Sequence, residues 1–438
     1  MKLKTAILGG VLALFGASQA SAQSTVTVGG TTYKVYDVTG ATAFRSAMNL
    51  SLKAMLGGAS AKVAFVGSSS YNAADFALYV GSLSSTPTIV RTSQSGSAEG
   101  VRDVATATAI NYISITQEVL DAASASPSGA RGNGWLADPS SATIPANAAA
   151  TATYGPVQNQ PIRTTVVPKY TFSDCAQSIT PNPTPTLPGN NVGVISFAFL
   201  TNKGHGLSIT NMTDQTFESL YSLGKVQGSA FTGNAADTKL VYAMGRNSLS
   251  GTRIITLAET KYGPFSPVVQ FGTNSDATTA ATSGSAPNIS VTTLKSVGDG
   301  GFTSGSALRT YMNATSASVT IDDVASQDVA LVAYMSIADA DAVSTFINAG
   351  SNKDAVALNY NGVPYSYDNV RNGRYSFWSY ERLFGPADEG ADGAAFRAAL
   401  TTAVDGQLST SSTNNVGIKL GQMNVTRPGG DGAVVVVP

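Results

Sequence analysis

The sequence is poor in the residues on which much protein chemistry depends. Its 438 residues include a single cysteine, Cys175, and a single histidine, His205. Disulfide frameworks need paired cysteines, and zinc sites and most catalytic triads need Cys or His, so these classes are excluded. Charged residues are only 12% of the chain and the formal net charge is −1, so no basic surface of the kind that nucleic-acid binding requires is expected.

Small and polar residues are abundant instead. The chain has 44 glycines and 18 prolines, and its hydrophobic fraction of 43% is enough for a sizeable core. The polarity that charge would supply comes from Ser, Thr, Asn and Gly. This composition predicts a folded, weakly charged protein rather than a disordered one.

The first residues have the pattern of a secretory signal peptide. Lys2 and Lys4 precede an apolar run at 6–15, and the small residues at 20–22 (Ala-Ser-Ala) form a cleavage site. The apolar run is too short for a permanent membrane span, and no cysteine stands at the cleavage point to carry a lipid. We therefore expect residues 1–22 to be removed and the protein to be exported, periplasmic or extracellular, without a membrane anchor.

Strand patterns alternate with helical patterns along the rest of the chain. Residues 33–38 are β-rich in composition, and Phe44, Met48 and Leu52 then follow at helical spacing. Further strands are predicted at 62–66, 86–91, 192–200, 240–244 and 329–335, and further helices within 207–226 and 338–347. This alternation predicts an α/β fold with parallel strands.

Two stretches interrupt the alternation. Residues 122–167 are rich in Ala, Ser, Pro, Gly and Thr and nearly free of charge, which predicts an inserted loop or flap. Residues 369–384 are aromatic and predicted to be irregular. The aromatic cluster at 375–380 favours core or hinge packing over a surface for a partner or a glycan.

Three predicted strand-to-helix turns share one chemistry. They are Gly40-Ala41-Thr42-Ala43-Phe44, Ser95-Gly96-Ser97 and Ser250-Gly251-Thr252. Free N–H groups at a helix N-terminus, together with hydroxyl donors, suit an anion, and glycine lets the backbone approach it closely. Arg246, four residues before Ser250, would supply the cation. Taken alone, each turn is better explained by ordinary helix capping than by an anion site.

Taken in order, these motifs resemble those of the phosphate-binding proteins of bacterial ABC phosphate uptake systems, which have the type II periplasmic binding protein fold. The matching segments are Gly40 to Phe44 with one extra residue, Ser97-Ala98-Glu99-Gly100-Val101, Ser173-Asp174, and the ungapped Arg-x-x-x-Ser-Gly-Thr from Arg246 to Thr252. Weaker matches lie at 207–224, 358–364 and 372–375. The resemblance covers the chain from about Thr39 to Phe384.

The resemblance implies a two-lobed α/β protein that closes on its ligand like a Venus flytrap. Lobe one would comprise 24–190 and 336–438, with the insert at about 122–167, and lobe two would comprise 191–335. The implied function is the capture of phosphate or a similar oxyanion for an ABC permease. Such a protein is monomeric, is not an enzyme, and uses no cofactor, metal or nucleic acid.

The resemblance also implies roles for individual residues. The expected donors to the oxyanion are Thr42, the backbone N–H of Phe44, Ser97, Arg246, Ser250, the backbone N–H of Gly251, and Thr252. Asp174 would instead accept the proton that phosphate carries at neutral pH. Sulfate has no such proton and would be disfavoured.

The chain departs from the family pattern in ways that leave other functions open. Ser97 and Asp174 are 77 positions apart where the family has a short spacer. Ser248 stands where the family often has an aspartate that steadies the arginine. An alternative is therefore an exported surface or matrix protein that has lost or changed its ligand. For an enzyme the chain offers little, because we expect His205 to be a solvated loop residue and Cys175 a small buried hydrophobe.

Overall fold

The computed structural model describes residues 24–66, 68, 70–128, 132–136, 163–273, 282–285, 287–345, 347–408 and 417–438. The predicted signal peptide and the middle of the predicted insert lie outside these ranges. Among the described residues, no helix has both the length and the apolar character needed to cross a membrane.

The described residues form a mixed α/β fold, so the predicted α/β class is confirmed. The strands are β1 Thr25–Val28, β2 Thr31–Gly40, β3 Lys62–Val66, β4 Phe76–Leu83, β5 Thr86–Ser93, β6 Ile110–Ile113, β7 Trp135–Leu136, β8 Arg163–Val166, β9 Tyr170–Ser173, β10 Gly189–Thr201, β11 Asn211–Met212, β12 Lys225–Gln227, β13 Leu240–Met244, β14 Gln270–Gly272, β15 Thr282–Ser283, β16 Ser290–Val291, β17 Thr293–Gly298, β18 Val319–Ile321, β19 Val324–Gln327, β20 Ala330–Ser336, β21 Val356–Ala357, β22 Asn359–Tyr360 and β23 Trp378–Phe384. The helices are α1 Arg45–Met55, α2 Ser97–Ala105, α3 Gln117–Ala122, α4 Asp214–Leu223, α5 Ser229–Thr232, α6 Gly251–Glu259, α7 Gly305–Met312, α8 Ile337–Asp341, α9 Tyr367–Arg371 and α10 Gly390–Gln407.

A 13-stranded sheet organises the molecule. Its main path runs β12-β13-β20-β10-β23-β9-β2-β5-β4-β3-β7, with β1 added on β2 and β21 on β10. Strand β2 is parallel to both β5 and β9, and β13 is parallel to β20. The carboxyl ends of β2, β5 and β9 therefore meet at one edge of the sheet, where α/β proteins place their ligands.

The antiparallel strands β10 and β23 link the two parallel groups. The first part of β10 pairs with β23, and its last five residues, Phe197–Thr201, pair with β20. The chain between β20 and β23 stays beside the β20 group, since β21 pairs with β10 and β22 pairs with β11. The chain therefore returns to the β2 group only just before β23.

The prediction of irregular structure at 369–384 is wrong for the two ends of this stretch. Residues 378–384 form strand β23, which lies between β9 and β10 in the centre of the sheet, and 369–371 end helix α9, so that 372–377 are the irregular part. The strand pairs with β9 and β10, which are distant in the chain, so local sequence did not indicate it. Tyr375, Phe377 and Trp378 are completely buried, so the expected packing role is confirmed for these three aromatic residues.

The two ends of the predicted insert belong to the folded structure. Strand β7 pairs with β3, and β8 pairs with β6. Residues 129–131 and 137–162 lie outside the described ranges, so the prediction of a flap there stays a prediction.

Candidate anion-binding site

Three turns meet at the carboxyl edge formed by β2, β5 and β9. The N–H of Ala41, after β2, donates to the carbonyl of Phe172 at 3.0 Å, and the N–H of Gly96, after β5, donates to the carbonyl of Gly40 at 3.0 Å. Gly40 has φ +115° and a Cβ there would lie 2.0 Å from the Phe172 carbonyl oxygen. Only glycine fits this position. The turns that precede α1, α2 and Asp174 are thereby held side by side.

The turn before α6 reaches the same place from the β13 group. The carbonyl of Leu249 accepts a 3.1 Å hydrogen bond from the N–H of Ala98, in the first turn of α2. Ser250 caps α6, and its Oγ accepts from the N–H of Arg253 at 3.4 Å. A Cβ at Gly251 would lie 2.3 Å from Ser97 Oγ, so the first residues of α2 and α6 are in direct contact.

Asp174 lies between these two helix N-termini. It is 1% exposed, its N–H donates to Ser97 Oγ at 3.2 Å, and its Oδ2 accepts from Thr252 Oγ1 at 3.3 Å. Burial raises the pKa of Asp174, and its hydrogen bond with Glu381, the charge of Arg246 and the hydroxyls of Ser97 and Thr252 act in the opposite direction. These polar neighbours thus lower the free-energy cost of ionising the buried carboxyl group of Asp174.

Arg246 is held by backbone carbonyls rather than by an acid at position 248. The side chain is almost fully buried, its Nε donates to the Phe302 carbonyl at 3.0 Å, and its Nη2 donates to the Thr303 carbonyl at 2.8 Å. Nη2 also donates to Oγ1 of Thr42, which lies in the turn before α1, at 3.2 Å. Burial lowers the pKa of Arg246, while the charges of Asp339 and Asp174 raise it.

Phe44 occupies the N-cap position of α1. Its ring stacks on Phe172 with the ring centroids 5.8 Å apart, which fixes the start of the helix against β9. The first N–H groups of a helix have no acceptor within the helix, so the backbone around Phe44 offers donors at this edge.

The structure therefore groups the predicted site residues as follows. Ser97, Asp174, Gly251 and Thr252 contact one another directly. Thr42 and Arg246 form a second contact pair. The positive charge of Arg246 is close enough to Asp174 to favour its ionised form. Ser250 and Phe44 lie at the helix starts that flank these groups, so all eight residues belong to adjoining turns.

Sequence reasoning missed three residues that surround Asp174, all on β23. Ser379 Oγ donates to the Asp174 carbonyl at 2.6 Å, and Arg382 Nη1 donates to the same carbonyl at 3.4 Å. The carboxyl of Glu381 lies within hydrogen-bonding reach of the carboxyl of Asp174, and burial together with this carboxyl raises the pKa of Glu381 well above its usual range. The available signal was the Glu381-Arg382 pair within an aromatic run, in a chain with only 12% charged residues.

The two residues considered for catalysis have structural roles. His205 is not a solvated loop residue as expected, because it is 6% exposed, its Nδ1 accepts from the N–H of Leu207 at 3.0 Å, and its Nε2 lies 3.1 Å from Thr201 Oγ1. Cys175 is completely buried, as expected, and burial raises the pKa of its thiol. Within the described ranges, no group of three or more His, Cys, Asp or Glu side chains is arranged to hold a metal ion.

Comparison with known proteins finds likeness in structure alone. No family model and no curated protein sequence matches the chain. A protein from Clostridium perfringens, assigned as a phosphate ABC transporter substrate-binding protein and solved with bound phosphate, has 10% identity and a TM-score of 0.43, over 88% of this chain and 100% of its own. An ABC-type phosphate transport receptor from Vibrio cholerae has 11% identity and a TM-score of 0.41, over 84% and 94%. PstS from Borrelia burgdorferi has 11% identity and a TM-score of 0.33, over 85% and 97%.

Proposed function

We propose that this protein is an exported solute-binding protein that captures an oxyanion, phosphate in the first place, for ABC-type uptake. The observation that carries the proposal is the meeting of two helix N-termini at one buried carboxylate. Ser97 begins α2, Gly251 begins α6, and Asp174 contacts both. Arg246 adds a buried positive charge beside them.

The donor groups match the chemistry of a small tetrahedral anion. Hydroxyls and backbone N–H groups at helix starts point partial positive charge at one place, and Arg246 contributes a full charge. Hydrogen bonds to a charged group are worth about 1.5–3 kcal/mol each. Six such bonds offset desolvation well enough for micromolar binding, about −8 kcal/mol.

Asp174 supplies the preference for phosphate. Its carboxylate can accept the proton of a hydrogen phosphate ion, whereas sulfate would bring a second unprotonated oxyanion against it. Thr252 holds Oδ2 in place by donating to it at 3.3 Å. The site therefore discriminates between phosphate and sulfate by the proton that phosphate carries and not by the size of the anion.

The two groups of turns are in contact in this structure, so two lobes would have to open to admit the anion and close again around it. The lobes expected from the sequence, 24–190 with 336–438 and 191–335, meet along β10. From the sequence, the two hinge segments between the lobes are expected near 190–196 and 334–336. Because β21 and β22 pair with β10 and β11, we propose that the second hinge lies at about 376–378 instead, which moves 336–375 from lobe one to lobe two. The two crossings are then antiparallel neighbours, which suits a hinge.

A calorimetric comparison of phosphate and sulfate tests this proposal. Phosphate-stripped protein should bind phosphate with micromolar or tighter affinity and sulfate at least about tenfold more weakly, a difference of about 1.4 kcal/mol. Asp174→Asn should lose that preference because an amide can donate to sulfate. Asp405→Asn, in the exposed pair with Lys419, is the control and should bind like the wild type.

One observation favours the second candidate function, an exported surface or matrix protein without this ligand. The contact of Ser97 Oγ with Gly251 closes the space between the two helix starts, and Thr252 and Asp174 satisfy each other. No binding heat from either anion, in a protein whose folding is verified, would favour this second function.

A further inference from the structure

Glu381 is placed opposite Asp174 by the strand register. On β23, Arg382 pairs with Ser173, the last residue of β9, and Glu381 pairs with Gly193 of β10. In an antiparallel pair the next residue along one strand faces the preceding residue of the other, so Glu381 faces the position of Asp174. Both side chains are inaccessible to solvent, with residue exposures of 0% and 1%.

If both carboxyl groups are ionised, several of their buried oxygens have no hydrogen-bond donor. Oδ1 of Asp174 and both carboxyl oxygens of Glu381 are buried and receive no hydrogen bond from a protein donor in the described part of the chain. Three buried acceptors without donors are costly, and two adjacent buried negative charges are more so. One proton shared between the carboxyls removes one of the charges and satisfies Asp174 Oδ1.

We propose that Asp174 and Glu381 share a single proton, carried by Glu381, and that the resulting O–H···O hydrogen bond keeps Asp174 as the proton acceptor of the anion site. Glu381 is thus a specificity-determining residue that positions Asp174 and need not touch the anion. The second half of this inference rests on the proposed function, whereas the shared proton does not.

The surroundings of the two carboxyls decide where the proton resides. Asp174 has the charge of Arg246 nearby and hydroxyls from Ser97 and Thr252, all of which favour its ionised form. Among the described residues, the charge of Arg382 favours the ionised form of Glu381, and Arg382 is itself engaged with Asp431 at 2.7 Å. Burial, together with the negative charge of Asp174, raises the pKa of Glu381 well above its usual range.

The shared proton has a consequence for anion selection. If the Glu381 donor is removed, Oδ1 of Asp174 is left buried without a donor. Protonation of Asp174 then costs less free energy than a buried, unpaired carboxylate oxygen. A protonated Asp174 donates to an anion instead of accepting from it. The site would then tolerate sulfate and lose its preference for phosphate.

Infrared spectroscopy tests the shared proton without any anion. The ligand-free protein at neutral pH should show the carbonyl stretch of a protonated carboxylic acid, absent in Glu381→Gln and retained, with a shift in frequency, in Asp174→Asn. No such band in the wild type overturns the proposal. A band that survives Glu381→Gln but vanishes in Asp174→Asn also overturns it, because the proton would then be on Asp174.

Anion titrations of two Glu381 variants test its role in selection. Glu381→Gln keeps a donor toward Asp174 and should leave the ratio of phosphate to sulfate affinity within about threefold of the wild type, while Glu381→Leu should lower that ratio at least about tenfold. An unchanged ratio in Glu381→Leu, or an equal loss in both variants, overturns the role in selection. If the wild type binds neither anion, the proposed function fails, and the infrared result still decides whether the proton is shared.

Discussion

Ser97 Oγ accepts a 3.2 Å hydrogen bond from the backbone N–H of Asp174, although 77 positions separate the two residues in the chain. This spacing is much longer than the short spacer of the family that the motifs resemble. It does not matter in three dimensions because β5, which precedes Ser97, and β9, which precedes Asp174, are both direct parallel neighbours of β2. The chain between them leaves this edge of the sheet and returns to it.

Gly251→Ala should damage both the fold and the site. The new methyl group would lie 2.3 Å from Ser97 Oγ and 3.0 Å from Asp174 Oδ2, so the two helix starts must separate. We expect a loss of about 1–3 kcal/mol in the free energy of unfolding, the usual cost of overpacking. Phosphate affinity should fall at least about tenfold, that is by about 1.4 kcal/mol. Urea unfolding and calorimetry measure the two effects.

Gly406→Ala is the matched control for that substitution. Gly406 lies within α10, and a Cβ there has no neighbour within 4 Å. Replacing an exposed helical glycine by alanine stabilises a protein by about 0.5–1 kcal/mol, and binding should not change. A Gly251→Ala protein that behaved like Gly406→Ala would contradict the close approach of α2 and α6.

Arg427 should be important for stability because it forms a fully buried ion pair at the far end of α6. Its Nη1 lies 2.6 Å from Glu259 Oε2, with side-chain exposures of 0% and 4%. Removing one partner of such a pair leaves a buried charge, so Arg427→Ala should cost about 3–5 kcal/mol in the free energy of unfolding. Lys419→Ala, which breaks the exposed pair with Asp405, should cost less than about 1 kcal/mol. Similar losses of unfolding free energy in both variants would contradict the burial of the Arg427–Glu259 ion pair.

The sequence predicted the parts of the site that follow local rules. Glycine and hydroxyl residues after β-rich runs indicated the turns at Thr42, Ser97 and Ser250, because strand, turn and helix capping are short-range features. Glu381 could not be found in this way. Its significance comes from facing Asp174 across two strands that are distant in the chain, and no spacing rule encodes that pairing.

The groups that hold Arg246 could not be predicted from the sequence either. The motif predicted that Arg246 supplies the cation of the site, but with Ser248 in place of an acid it did not show what would hold the guanidinium. The carbonyls of Phe302 and Thr303 do so, and they belong to the turn before α7. Backbone acceptors carry no signature in the amino-acid sequence, so this support could not be predicted.

The buried carboxyl pair should make stability depend on pH in a defined direction. The raised pKa of Glu381 means that the folded protein keeps a proton that the unfolded chain releases above about pH 4.3. Stability is therefore fully present below that pH and falls as the pH rises toward the folded-state pKa, by up to about 1.4 kcal/mol per pH unit. Glu381→Gln lacks this loss.

Urea unfolding of the wild type and Glu381→Gln from about pH 4 to pH 8 measures this dependence. The difference in unfolding free energy should shift steadily in favour of the variant as the pH rises. Parallel stability curves for the two proteins would show that Glu381 has the same pKa in the folded and unfolded states.

Cys175 should be chemically silent in the folded protein. It is completely buried, its Sγ lies 3.5 Å from Ser173 Oγ, and burial raises the pKa of the thiol, so little thiolate is present at neutral pH. A thiol reagent should label the chain promptly in denaturant and only at the rate of unfolding in buffer. Immediate labelling of the native protein would contradict the burial of this residue.

Equilibrium dialysis against radiolabelled phosphate tests the central claim most directly. Phosphate-stripped wild-type protein should retain one phosphate per chain with a micromolar or lower Kd, equivalent to about −8 kcal/mol or better. Arg246→Lys, which keeps the charge but loses the paired contacts to the Phe302 and Thr303 carbonyls, should retain at least about tenfold less at the same concentration. A folded wild-type protein that retains no phosphate would contradict the account.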